Sequence, residues 1–125
     1  MKKGIYPAGA SALAPYSPGM YVEATKTLYI SGQIGIKADG KLAATIQEQT
    51  SIALERMGQV LKEAGMDFEN VVSTDVLVTD MANYGAVNET YAKIFTKEAP
   101  ARAAYAVKEL PFNALVEIKA IAVKS

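Results

Sequence analysis

Apolar and polar positions along the chain keep two different periods, and the changes between them mark out the elements. The first twenty residues keep neither. Pro7, Gly9, Pro15, Pro18 and Gly19 punctuate them, and with Ser11 they read as a short edge strand at most, followed by a loop. Residues 20–24 and 28–35 are rich in β-formers and flank a polar Thr-Lys pair, which predicts two strands joined by a tight turn. In the second, Leu28, Ile30, Gly32 and Ile34 fall on one face and Tyr29, Ser31 and Gln33 on the other. A glycine in mid-strand predicts a bulge or a close backbone approach at Gly32. After an Asp39-Gly40 turn, Thr45 and Glu48 form a capping box. Ile46, Thr50, Ala53, Leu54, Met57, Val60, Leu61 and Ala64 then follow the helical period to a stop at Gly65.

The β-branched run 71–79 predicts a strand. Residues 81–96 predict a second helix, with Tyr84, Val87, Tyr91, Ile94 and Phe95 on one stripe and Pro100 beyond its end. Two more strand-like segments close the chain, PARAAYAV at 100–107 and LVEIKAIAV at 115–123, separated by a turn over 108–113. The order β-β-β-α-β-α-β-β predicts an α+β fold: one domain over residues 1–125, with both helices on one face of one sheet. The other face would carry Ile121 and Val123 beside Glu117 and Lys119. It is too apolar for open water, which predicts a second subunit against it.

Arg102 and Glu117 stand out because each is a charge inside a strand-like apolar run. Burying a charge is costly unless it is paired or faces a wet cavity. If the two terminal strands pair around the 108–113 turn, both side chains reach one small-walled pocket; the plain alternative is an ion pair at the sheet edge, or two charges solvated separately. Tyr16, stiffened by Pro15 and Pro18, either packs its ring on the body or presents its phenol to a ligand. Asn88 is a poor helix-interior residue near the rim of the second helix's apolar stripe, so a hydrogen-bonding reason for it is expected.

Composition narrows the chemistry. Cysteine and histidine are both absent, which removes thiolate and imidazole catalysis and the usual zinc ligand sets. Lysine plus arginine number 13 and aspartate plus glutamate 13, a balance that disfavours a nucleic-acid partner. No apolar run approaches the roughly 18 residues of a membrane span, and no apolar leader opens the sequence, so the expected location is cytoplasmic with no membrane partner.

These segments together resemble the RidA (YjgF) family of reactive intermediate deaminases over nearly the whole chain. The residues carrying the likeness are Pro15-Tyr16-Ser17, Leu28 to Gln33, the helix from Gln49-Thr50 to Gly65, Thr79-Asp80-Met81, Val87 to Tyr91, Pro100-Ala101-Arg102 and Leu115 to Ile118. The resemblance implies a chorismate-mutase-like α+β fold with one mixed, mainly antiparallel sheet, assembled as a homotrimer with sites between subunits. It implies hydrolysis of enamine and imine intermediates such as 2-aminoacrylate and 2-aminocrotonate to 2-oxo acids and ammonia, with no cofactor and no metal.

By the same resemblance, Arg102 clamps the substrate carboxylate, for which a planar fork suits better than lysine. Glu117 positions or activates water and moves protons. Tyr16, Ser31 and Asn88 line the cleft, Gly32 lets its backbone approach the ligand, and Ala104 shapes the wall. The sequence departs from the family pattern at Ala103 and Ala104, where many members have serine and cysteine, and at Ala14, where glycine is usual. Two other functions stay open: a non-catalytic module that binds a small carboxylate metabolite, and the endoribonuclease or translation-inhibiting activity attributed to some relatives. A different enamine, such as 3-aminoacrylate or 2-aminomuconate, is a further option within the enzyme class.

Overall fold

The computed structural model describes residues 1–7 and 14–125, so the loop expected through Gly9 and Ser11 lies outside the described residues. All the period-two segments enter one sheet. Strands β1 (Lys2–Ile5), β2 (Gly19–Val22), β3 (Thr27–Ile34), β4 (Val71–Val78), β5 (Ala101–Ala106) and β6 (Val116–Val123) lie in the spatial order β1-β2-β3-β6-β4-β5. Neighbours are antiparallel except β4 and β5, which run parallel. Strand β1 is the expected short edge strand.

Helices α1 (Ile46–Glu63) and α2 (Tyr84–Ile94) cover one face, and no helix among the described residues is long and apolar enough to cross a membrane. The Thr45 hydroxyl caps α1 by accepting from the Glu48 N–H at 3.1 Å. Glu48 completes only half the expected box: its carboxylate accepts from the Thr45 hydroxyl at 3.3 Å. Between the helices and the sheet lie Leu28, Leu54, Met57, Leu61, Val76, Val116 and Ile118, all fully buried. Each such aliphatic side chain contributes roughly 1.5–3 kcal/mol by leaving water.

Four expectations change. Strands β5 and β6 do not pair around the 108–113 turn, because β4 lies between them. The reason is a crossover: β4, α2 and β5 form a parallel unit, and β6 takes the other edge of β4. Its Val116, Ile118, Ala120 and Ala122 are all buried and suit a central strand, whereas every residue of β5 is at least partly exposed, as fits an edge.

The second change is in β3. The bulge expected at Gly32 is present, the register shifting between Ile30 and Gln33. One extra residue there reverses the alternation that follows. Gln33 therefore pairs with Ile118 and is buried, while Ile34 pairs with Glu117, the opposite of the simple pleat count.

Helix α2 begins three residues late, because Asp80 caps a separate 3-10 turn over Met81–Asn83 by accepting from the Ala82 N–H at 2.9 Å. Ile94, finally, leaves the buried stripe and is exposed, while Val87, Tyr91 and Phe95 hold it.

Candidate active site

Because alternation in β6 is regular, Glu117 and Lys119 point away from the helices, together with Ile121 and Val123. That open face also carries Tyr29, which pairs with Ile121, and Tyr105, which pairs with Leu77. Tyr29 is 50% exposed and Tyr105 53%. A cleft of about 670 Å³ opens here, walled by Tyr16, Ser31, Gly32, Pro111, Glu117 and Lys119 among others.

Local structure fixes each wall. The Ser31 hydroxyl donates to the Ser17 carbonyl at 2.6 Å, and the Ser31 N–H to the Pro18 carbonyl at 2.9 Å. These two bonds hold the loop bearing Tyr16 against β3, so the phenol stands at the rim. At Gly32 the absence of a side chain is required by proximity: a Cβ built there would lie 2.6 Å from Glu117 Cδ, closer than real Cβ atoms come. The bulge and the glycine thus make the space that the Glu117 carboxylate fills. The start of β6 is held from below by buried Gln49, which accepts from the Leu115 N–H at 2.8 Å and donates to the Ala43 carbonyl at 2.9 Å.

Burial pushes the Glu117 carboxyl above its ordinary value, and the Lys119 ammonium draws it partway back. Lys119 also pairs with Asp75 at 3.8 Å. The carboxylate is therefore a better base than a solvated one.

Arg102 occupies the other face. In the β4 and β5 register it lies beside Thr74, which is buried toward the helices, so its side chain runs along α2. Its Nη1 donates to Asn88 Oδ1 and its Nη2 to the Tyr84 hydroxyl, both at 2.8 Å. The guanidinium carbon stands 4.9 Å from the Tyr91 ring centroid and 5.3 Å from that of Tyr84. A second hollow of about 510 Å³ adjoins it, lined by Asn88, Tyr91, Phe95, Pro100 and Arg102 among others. Ala104 follows two residues along the same face of β5 and packs on the core.

The structure therefore sorts the expected site residues into two groups. Tyr16, Ser31, Gly32 and Glu117 meet in one cleft, while Arg102 and Asn88 meet in another with Ala104 nearby. Arg102 and Glu117 lie on opposite faces of the sheet with β4 between their strands, so within one chain they neither pair nor share a pocket. Sequence reasoning missed Tyr84 and Tyr91 as partners of Arg102, and Lys119 and Pro111 as walls of the Glu117 cleft. Tyr84 and Asn88 are four residues apart on one helix, and that spacing from the odd asparagine was the available signal.

The family model described as endoribonuclease L-PSP matches residues 8–124. A mouse protein named 2-iminobutanoate/2-iminopropanoate deaminase is 47% identical over 116 residues, covering 91% of this chain and 84% of its own length. The crystal structure of RidA from an Antarctic Psychrobacter superposes with a TM-score of 0.92 at 30% identity, covering 98% of this chain and 99% of that one. That of E. coli TdcF with bound serine gives 0.88 at 30% identity, covering 98% and 99%.

Proposed function

The chain belongs to the endoribonuclease L-PSP family, which takes in RidA, and from that membership we infer that it hydrolyses 2-imino acids and their enamine tautomers, such as 2-aminoacrylate and 2-aminocrotonate, to the 2-oxo acid and ammonia. The observation that carries an enzyme rather than a binding module is Glu117. Holding a carboxylate ligand needs only Arg102. A second carboxyl, made more basic by burial and given room by Gly32, has no part in that and suits proton transfer.

The chemistry asks little of the protein. The planar fork of Arg102 holds the substrate carboxylate, which leaves the protonated imine carbon facing a water at Glu117. Glu117 takes a proton from that water as its oxygen bonds to the carbon. Glu117 returns that proton to the nitrogen of the resulting carbinolamine and takes up the hydroxyl proton as the C–N bond breaks and the carbonyl forms, so the 2-oxo acid and ammonia leave and the last proton passes from Glu117 to ammonia or solvent. Tyr16 and Ser31 border the reacting atoms, Asn88 holds the clamp, and Ala104 sets the width beside it. The scheme uses no cofactor and no metal.

Since one chain holds the two groups on opposite faces, a complete site needs Arg102 of one copy set against the Glu117 cleft of another. A head-to-tail contact of this kind builds a ring where its rotation closes, in this reading a homotrimer with its sites between subunits. The apolar open face bearing Tyr29 and Tyr105 supports it. The ligand is a small molecule; bound serine in TdcF is of the same carboxylate-bearing class. Balanced charge favours this reading over a nucleic-acid substrate, and the cytoplasm is where a dehydratase would release the imine.

The test adds the purified protein to a pyridoxal-phosphate-dependent dehydratase acting on threonine and follows ammonia release. Release should accelerate, and Arg102→Ala should remove the gain. No acceleration over spontaneous hydrolysis at micromolar protein would sink the reading.

A further inference from the structure

An arginine on an edge strand is ordinarily a mobile side chain, yet Arg102 is tied at both ends of its fork by residues one helical turn apart on α2. We propose that Tyr84 is the positioning residue of Arg102, anchoring Nη2 so that the Nε edge of the guanidinium is offered to the substrate carboxylate. The proposal rests on the deaminase reading above and adds to it a residue outside the expected site.

Three features of the site carry it. The two acceptors, the Tyr84 phenol and the Asn88 amide, are both neutral, and neither ion pair among the described residues involves Arg102. The positive charge is thus held without being neutralised, and a carboxylate remains its stronger partner. Next, Nε–H has no partner among the described residues, while Nη1 and Nη2 each have one. Nε–H and one Nη2–H form one of the two-pronged edges of the fork, and Tyr84 fixes Nη2, the nitrogen that carries the second prong.

The floor under the guanidinium is also rigid. The Tyr91 hydroxyl is bonded to Thr74 Oγ1 at 2.8 Å, and its ring packs on Phe95 with centroids 4.5 Å apart. Arg102 therefore lies over a fixed ring on one side and is held by Tyr84 and Asn88 at its tip. A phenylalanine at 84 would keep the ring and lose the anchor.

The experiment uses the assembled protein and reads two quantities: the dissociation constant of 2-oxobutanoate by calorimetry, and kcat for ammonia release from the dehydratase-supplied imine. Tyr84→Phe should weaken 2-oxobutanoate binding about three- to tenfold, the net size of one ordinary hydrogen bond, since Tyr84 acts on the ligand only through Arg102. It should leave kcat within about twofold, since the anchor serves ground state and transition state alike. In an Arg102→Lys background, where the fork is gone, Tyr84→Phe should change nothing further.

Unchanged binding in Tyr84→Phe, with Arg102→Lys weakening it as expected, overturns the Tyr84 role alone. An equal loss in both backgrounds also overturns it, because Tyr84 would then act independently of Arg102. If Arg102→Lys itself leaves 2-oxobutanoate binding intact, the carboxylate clamp falls, and the Tyr84 role with it.

Discussion

Glu117 and Lys119 stand two residues apart on the open face, one partly desolvated, the other drawn toward Asp75. The raised carboxyl pKa has a consequence for stability. A carboxyl whose folded pKa lies above its unfolded value, about 4.3, contributes stability that is fully present below that value and is lost as pH rises through the folded pKa. Above it the protein holds a half-buried charge. Glu117→Gln, neutral at every pH, should therefore melt higher than the wild type at about pH 8, with the difference shrinking toward about pH 4. The same variant should lose ammonia release, so stability and activity move in opposite directions. A variant that melts lower than the wild type at alkaline pH would contradict the desolvation argument.

At this scale much was legible. A charge in an apolar strand stands out whether it serves a site, pairs or is merely solvated, so Arg102 and Glu117 were visible as candidates while the pattern alone left the ion-pair and solvated readings open. Tyr84 was not, because a tyrosine on an amphipathic helix stripe has the same signature whether its hydroxyl serves a site or merely reaches water.

Single residues also reset whole elements. The glycine at 32 announced a bulge, but the reversed alternation behind it, which buries Gln33 and turns Ile34 to the Glu117 side, follows only when the extra residue is carried through the register. Strand pairing was less legible still. A short turn between β5 and β6 invites a hairpin, and only the exposure of β5 against the burial of β6 places the first at an edge and the second in the middle. That information lies in tertiary packing, not in the period. Gly35, just past β3, shows how closely the elements meet: a Cβ there would lie 2.8 Å from the Gln49 carbonyl oxygen of α1. Gly35→Ala should force helix and sheet apart, costing about 1–3 kcal/mol as overpacking does. Since Gln49 also holds the Leu115 N–H at the head of β6, the Glu117 cleft should loosen with it. Chemical denaturation should show an earlier midpoint, and unchanged stability would mean that α1 is free to shift at that point.

For the whole molecule, the separation of Arg102 from Glu117 by a strand and by the thickness of the sheet turns assembly into a question of activity. On the proposed roles, Arg102→Ala keeps a sound Glu117 cleft and loses the clamp, and Glu117→Gln keeps the clamp and loses the base. Each alone should be inactive. If every site takes Arg102 from one copy and Glu117 from the next, unfolding the two variants together in equal amounts and refolding them creates sites that hold both wild-type residues. Random mixing around a closed ring makes such sites about a quarter of the total, so about a quarter of wild-type ammonia release should return, in a species of about three times the 13.3 kDa chain mass by light scattering. If each chain carried a complete site, no mixture could restore one, because neither variant has both residues. Recovered activity would therefore report the geometry of the site as well as its chemistry, and because one chain holds Arg102 and Glu117 on opposite faces of its sheet, a silent mixture of properly assembled rings would overturn the reading that the two residues build one site.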